Sequence, residues 1–149
     1  MAKPVLPTVR ALTIAEWEAK MQAGEGDWLR FDIAESDGTF VVVERGGVLL
    51  AYLQHQPHER HPGWHVLNRL ETRPYYRRRG YARLLVERIK ELYDPTLIIA
   101  RGVQSPSLPF WRRIGFEPDE FGPEVDQGVQ YSEGTFVWKR AQSERRAGD

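Results

Sequence analysis

The chain has 149 residues, 41% of them hydrophobic, with five Trp, six Tyr and six Phe, which is enough apolar material for an ordered core and excludes a largely disordered protein. It has no cysteine, so a disulfide framework, a thiolate zinc site and a cysteine nucleophile are excluded together. Twenty-one basic residues balance twenty-one acidic ones, leaving no overall field to draw the protein to nucleic acid or to an anionic membrane.

The first ten residues, Met1 to Arg10, lack the apolar run of a signal peptide, and no stretch approaches the length needed to cross a bilayer. The expectation is a soluble, cytoplasmic chain forming a single domain over 1–149. Its folded body covers about 7–139, with a frayed start over 1–6 and a flexible polar tail over 140–149.

In chain order, Thr13-Ile14-Ala15-Glu16 reads as a capping box, with Leu12 stapling onto Trp17 and with Ile14, Trp17 and Met21 facing inward. Thr39–Glu44 and Val48–Leu53 are rich in β-branched and apolar residues and flank Gly46-Gly47, which predicts a hairpin with a two-residue turn. After a His/Pro-rich loop, Trp64–Thr72 predicts another strand, closed by Pro74, which has no N–H for a ladder bond.

Apolar positions Tyr81, Leu84, Leu85, Ile89 and Leu92 follow the helical period and stop at Asp94-Pro95, predicting a helix over about Gly80–Tyr93. Thr96–Ala100 reads as a buried strand. Strand, helix and strand in this order form a crossover unit whose two strands run parallel. A short helix over Ser107–Ile114, ended by Gly115, and strands near Phe116 and over Thr135–Lys139 complete an α+β fold.

The charge is unevenly placed. Between Arg69 and Arg88 lie seven arginines, Arg69, Arg73, Arg77, Arg78, Arg79, Arg83 and Arg88, against two acids, Glu71 and Glu87. Most of them sit where a strand passes through a short loop into a helix, and the free N–H groups of a helix start, with the positive end of its dipole, bind anions. Gly80 lets the backbone approach a diphosphate, a small side chain at Ala82 keeps the approach open, and guanidinium groups can clamp phosphate oxygens.

The stretch Leu70-Glu71-Thr72-Arg73-Pro74-Tyr75-Tyr76-Arg77-Arg78-Arg79-Gly80-Tyr81-Ala82 resembles the coenzyme-binding motif of the GNAT superfamily of N-acetyltransferases. The signature Gln/Arg-x-x-Gly-x-Gly/Ala is matched by Arg77, Gly80 and Ala82. Phe110-Trp111-Arg112-Arg113-Ile114-Gly115-Phe116 resembles a second family segment. The resemblance implies a GNAT-like fold, a mixed central sheet of about six or seven strands with helices on both faces, and acetyl-CoA as acetyl donor, with no metal.

By the same resemblance, the backbone of Leu70, Glu71 and Thr72 pairs with the pantetheine arm. The amides of Arg78, Arg79, Gly80, Tyr81, Ala82 and Arg83 hold the diphosphate beside Arg77, and Gln104, Ser107 and Trp111 lie along the coenzyme. The implied reaction is direct attack of a neutral primary amine, of a small molecule or a protein, on the thioester. A backbone N–H near Thr72 stabilises the oxyanion, a base takes the amine proton, and an acid can protonate the thiolate.

Glu71 and His65, on the strand leading into the site, are candidate bases. The sequence departs from the family pattern at Trp111, where a tyrosine is usual, and at Gln104, where an asparagine is common. An indole N–H does not titrate near neutral pH, so Tyr131 and Ser107 are the candidate substitutes for the acid. The departure also admits a catalytically weak coenzyme-binding or regulatory module. A nucleic-acid-binding domain using the arginine stripe is a further alternative, against which the zero net charge and the Gly-x-Ala spacing both count.

His55, His58, His61 and His65 fall within eleven residues, but with Pro57, Pro62 and Gly63 among them the segment reads as a solvent loop and not as a metal site. The dispersed tryptophans read as packing. The acidic stretch Glu117–Asp126 reads either as a loop that attracts a cationic amine acceptor or as solubilising surface charge. Either a monomer or a homodimer is compatible with the sequence.

Overall fold

A computed structural model describes residues 5–29, 39–101, 103, 105–118 and 134–140. The described elements, in chain order, are β1 (Thr8–Leu12), α1 (Ile14–Gln22), β2 (Thr39–Arg45), β3 (Val48–Pro57), β4 (Trp64–Thr72), α2 (Tyr81–Tyr93) and β5 (Leu97–Ala100). A 3-10 turn (Ser105–Ser107) leads into α3 (Leu108–Arg113), then β6 (Glu117–Pro118) and β7 (Phe136–Lys139). The strands hydrogen-bond in the order β1-β2-β3-β4-β5-β7-β6, an α+β arrangement with a mixed seven-stranded sheet.

The chain forms two compact units, Met1–His55 with Arg69–Leu92, and Gln56–Asn68 with Tyr93–Asp149. In the first, β1 pairs antiparallel with β2 from Thr8↔Glu44 to Leu12↔Phe40, and β2 pairs antiparallel with β3 across the Gly46-Gly47 turn. Both glycines have positive φ, 58° and 81°, as a two-residue hairpin turn requires. β2 and β3 are buried almost throughout, so they read as continuous apolar runs and not as alternation. β3 runs to Pro57, past the expected end at Leu53, because backbone pairing with β2 continues to Thr39↔His55.

The capping box forms as expected. Thr13 Oγ1 accepts from the Glu16 amide at 3.1 Å, and Glu16 accepts from the Thr13 amide at 3.1 Å. Trp17 is buried and stacks on Phe40 with ring centroids 4.1 Å apart and planes 6° apart. Around them lie Leu12, Val42, Leu49 and Tyr52, with Met21, Trp28 and Leu29 against the cluster. Ile14, expected to face inward, is instead 47% exposed, since the first turn of α1 is anchored through its cap and only Trp17 reaches the core.

The helix expected after the arginine cluster is α2. Its buried face is Tyr81, Leu85, Val86 and Ile89, whereas Leu84 and Leu92, which also follow the apolar period in the sequence, are exposed. Helical steps of 100° put residues 81, 85, 86 and 89 on one side and 84 beyond its edge, whereas Leu92 falls on the same side and is exposed in the last turn of the helix.

In the second unit, β4 and β5 pair in parallel from Trp64↔Leu97 to Leu67↔Ala100, the pairing the crossover predicted. β5 and β6 each pair antiparallel with β7. Val66, Leu97, Ile99 and Val137 form a buried cluster with Trp64 against it. Trp111 packs edge-on against Phe110 and Phe116.

Candidate functional site

The loop between β4 and α2 is built from backbone upward. The Arg73 amide donates to the Leu50 carbonyl at 2.8 Å, and the Tyr76 amide donates back to Arg73 at 3.0 Å, closing a turn with Pro74 at its second position. Tyr75, its third position, has φ 73°, the conformation a type II turn demands there. Two more left-handed residues follow, Arg78 with φ 65° and Gly80 with φ 81°. Alternation of left- and right-handed residues turns successive N–H groups toward one side, an arrangement that receives anions.

The Leu84 amide donates to Gly80 O at 3.0 Å, so the amides of Tyr81, Ala82 and Arg83 stand at the helix start, where they have no carbonyl four residues back inside the helix. The first turn of α2 carries no acidic side chain, so its own sequence does not answer the positive end of the dipole. A Cβ added at Gly80 would meet nothing within 4 Å. The glycine is required for its φ, and the space in front of it is open.

The arginines divide by role. Arg73 Nη1 donates to the Leu49 carbonyl at 3.4 Å and so ties the loop to β3, while Arg88 pairs with Glu91. Arg77, Arg78, Arg79 and Arg83 are exposed, and none of these four makes an ion pair among the described residues. Tyr76 lies between two cations: Arg79 sits 4.9 Å from its ring centroid and Arg45 5.3 Å, and Arg45 Nη2 donates to the Tyr76 hydroxyl at 3.3 Å. Arg45, at the end of β2, joins the cationic loop without any signal in the motif.

Glu71 is half-buried near the end of β4, and the hydroxyl of Tyr52 on β3 donates to its Oε2. The Arg73–Leu50 and Glu71–Tyr52 links step by two residues in opposite directions along the chain, the mark of an antiparallel pair. Tyr52 is fully buried. Burial, then the hydrogen bond and charge of Glu71, push its phenol far above the ordinary tyrosine range, so Tyr52 remains a donor. This partner of Glu71 was missed in the sequence, because the two residues come together only through the strand register.

The first unit therefore brings together Leu70, Glu71, Thr72 and the segment from Arg77 to Arg83. His65, Ser107 and Trp111 belong to the second. There His65 is buried and stacks on Tyr93 with centroids 4.4 Å apart, and burial pushes its pKa down to about 4. Ser107 precedes α3 and Trp111 is buried within it. Gln104, Tyr131 and most of the acidic stretch Glu117–Asp126 lie outside the described residues.

The four histidines do not share one loop. His55 and His65 are buried within β3 and β4. His58 Nδ1 accepts from the amides of Arg60 and His61, and His61 stacks on Trp64 at 3.9 Å. Among the described residues no three metal-ligating side chains gather, and no helix is long and apolar enough to cross a membrane.

Similarity to known proteins bears on this geometry. The Acetyltransferase (GNAT) family model matches residues 6–116. A curated relative, an uncharacterized N-acetyltransferase of Bacillus pumilus (strain SAFR-032), is 32% identical over 81 residues, 54% of this chain and 46% of that protein; the match thus spans about half of the relative's length. The Bacillus subtilis N-acetyltransferase YlbP, solved in complex with coenzyme A, has a similar fold with TM-score 0.62 and 22% identity, covering 91% of this chain and 98% of that one. The PaiA N-acetyltransferase from Thermoplasma acidophilum, also solved with coenzyme A, has TM-score 0.63 and 14% identity, covering 90% and 99%. Since the family match takes in well over half of the sequence, including the strands that carry Tyr52 and Glu71 and the loop and helix that follow them, the chain belongs to the GNAT family of acetyltransferases.

Proposed function

We propose that the chain transfers the acetyl group of acetyl-CoA to a primary amine by direct attack. The observation that carries this reading is the Arg73–Arg83 segment: three left-handed residues, a helix start with no acid in its first turn, and four exposed arginines without ion pairs among the described residues. A diphosphate fits such a cradle by charge and by backbone donors together. That two fold relatives were solved with coenzyme A supports the same ligand.

In this reading the backbone of Leu70–Thr72, at the end of β4, offers N–H and C=O groups to the pantetheine arm, and an N–H near Thr72 stabilises the oxyanion. Glu71 takes the amine proton as the C–N bond forms. The C–S bond then breaks, its electron pair stays on sulfur, and the thiolate takes a proton from water or from a side chain, for which Ser107 and Tyr131 are the candidates. Glu71 is favoured over His65 as base because His65 is buried and covered by Tyr93, whereas Glu71 is half-buried near the end of β4. A cationic acceptor, a cytoplasmic setting and a monomeric or homodimeric state belong to the proposal.

The test is calorimetric titration of the folded protein with acetyl-CoA beside an Arg77→Ala, Gly80→Glu double variant. It is followed by free-thiol release with lysine amide, spermidine and a peptide bearing a free α-amino group. One-site binding lost in the variant, with turnover on an amine, is expected. Absence of binding by folded wild type overturns the reading, and binding without turnover on any amine reduces it to a coenzyme-binding module.

A further inference from the structure

We propose that Tyr52 is a positioning residue for Glu71: its hydroxyl, brought across the sheet from β3, fixes the direction in which the carboxylate faces as it receives the amine proton. The inference rests on the reading of Glu71 as the base and assigns that base a partner that the family motif does not contain.

Tyr52 is suited to the task by its surroundings. Its ring is fully buried and held by three others, Trp17 at 5.1 Å, Trp28 at 6.1 Å and Phe40 at 6.4 Å between centroids. With two side-chain torsions and both locked by packing, the hydroxyl stands on a rigid support. It is directed at Glu71 Oε2, and an ionised carboxylate can only accept.

With Oε2 accepting from Tyr52, the carboxylate meets the amine through its remaining acceptor positions in one orientation. Arg69, also from β4, acts on Tyr52 through its charge. Trp17, Phe40 and Trp28, which meet Tyr52 from α1, β2 and the segment after α1, do not titrate.

The proton balance gives Tyr52 no share in the transfer. The proton of the attacking nitrogen passes to the Glu71 carboxylate, the C–N bond forms, and the C–S bond breaks with its electron pair on sulfur. Tyr52 keeps its own proton throughout. It therefore does not substitute for the acid of the leaving thiolate, and removing its hydroxyl should alter the base alone.

The experiment is Tyr52→Phe, which leaves the ring among its neighbours and removes only the hydroxyl. In protein labelled with 13C at the glutamate carboxyls, the Glu71 signal is assigned by its loss in Glu71→Gln and compared between wild type and variant at pH 7. The expected result is a displaced Glu71 signal in Tyr52→Phe. With acetyl-CoA and the fastest of the three amines named above, kcat should fall about tenfold at pH 7, the size of one hydrogen bond to a charged group, while acetyl-CoA affinity and the KM for the amine stay unchanged.

An undisplaced Glu71 signal and an unchanged kcat in Tyr52→Phe, with Glu71→Gln inactive, overturn this proposal and leave the base assignment standing. A fully active Glu71→Gln overturns the base assignment and this proposal with it. Should Tyr52→Phe fail to fold, Glu71→Asp draws the carboxylate back from the hydroxyl while keeping its charge. A wild-type kcat in that variant is the refuting result.

Discussion

Replacing Gly80 by alanine separates backbone strain from ligand binding, because the structure supplies a matched control. Gly80 and Gly47 share φ 81°, and a Cβ at either would meet nothing within 4 Å. In both Gly80→Ala and Gly47→Ala, the cost to folding is therefore the left-handed conformation alone, about 1 kcal/mol. For a chain of this size that lowers Tm by roughly 2–4 °C.

The two variants should part on coenzyme. The added methyl at Gly80 enters the open space before the helix start and pushes a diphosphate off its amides. Loss of one or two charge-assisted hydrogen bonds weakens binding by about 10- to 100-fold. Gly47, in the hairpin turn, should leave affinity unchanged. Thermal unfolding and calorimetric titration with acetyl-CoA measure both quantities on the same samples. Matching losses of Tm with unaltered affinity in Gly80→Ala would refute the placement of the diphosphate, and unequal losses of Tm would refute the strain argument.

Two further expectations concern pH. Burial tends to raise the Glu44 carboxyl, but hydrogen bonds from Arg10 and Lys20 outweigh it and hold it below the ordinary value of 4.5. Its stabilising contribution is thus complete above about pH 4.5 and is lost as pH falls through the lower folded value. Glu44→Gln should cost about 3 kcal/mol at pH 7, the low end for a broken buried pair because Lys20 keeps Glu25 at 3.2 Å. It should also flatten the acid limb of Tm against pH, and parallel limbs would contradict the assignment. His65, lowered by burial from 6.5 to about 4, binds its proton more readily in the unfolded chain. Stability should fall as pH drops from 6.5 toward 4, by roughly 3 kcal/mol at the limit, and His65→Phe should abolish that slope in calorimetric scans.

The sequence is most informative where a local rule decides the structure. The Gly46-Gly47 turn, the Thr13 capping box, the strand from Trp64 and the helix after Gly80 all follow from residues within a few positions of one another. β1 carries no such signal: of Thr8–Leu12 only Leu12 is buried, and the segment is a strand because its backbone pairs with β2. The outward turn of Leu84 shows the same limit, since apolar character marks a period more surely than it marks a face.

The candidate site divides in the same way. Gly80, the arginines and Glu71 are legible from the motif, each within a dozen residues of the next. Tyr52 and Arg45 are not, because each reaches the site by tertiary placement: Tyr52 through the β3–β4 register, Arg45 by lying against a tyrosine ring thirty-one positions on. Of the clustered histidines, His65 lies on the strand expected from Trp64, whereas His55 is buried because β3 runs on past Leu53.

Tyr75 and Arg78 hold left-handed conformations that glycine would adopt at lower cost. A loop with glycine at both positions would relax more easily and would also wander, whereas side chains there narrow the set of shapes available before any ligand arrives. The cradle thus meets its ligand already ordered, and association forfeits less conformational entropy. Introducing glycine at both positions should leave the backbone donors available and shift the loss into an unfavourable binding entropy.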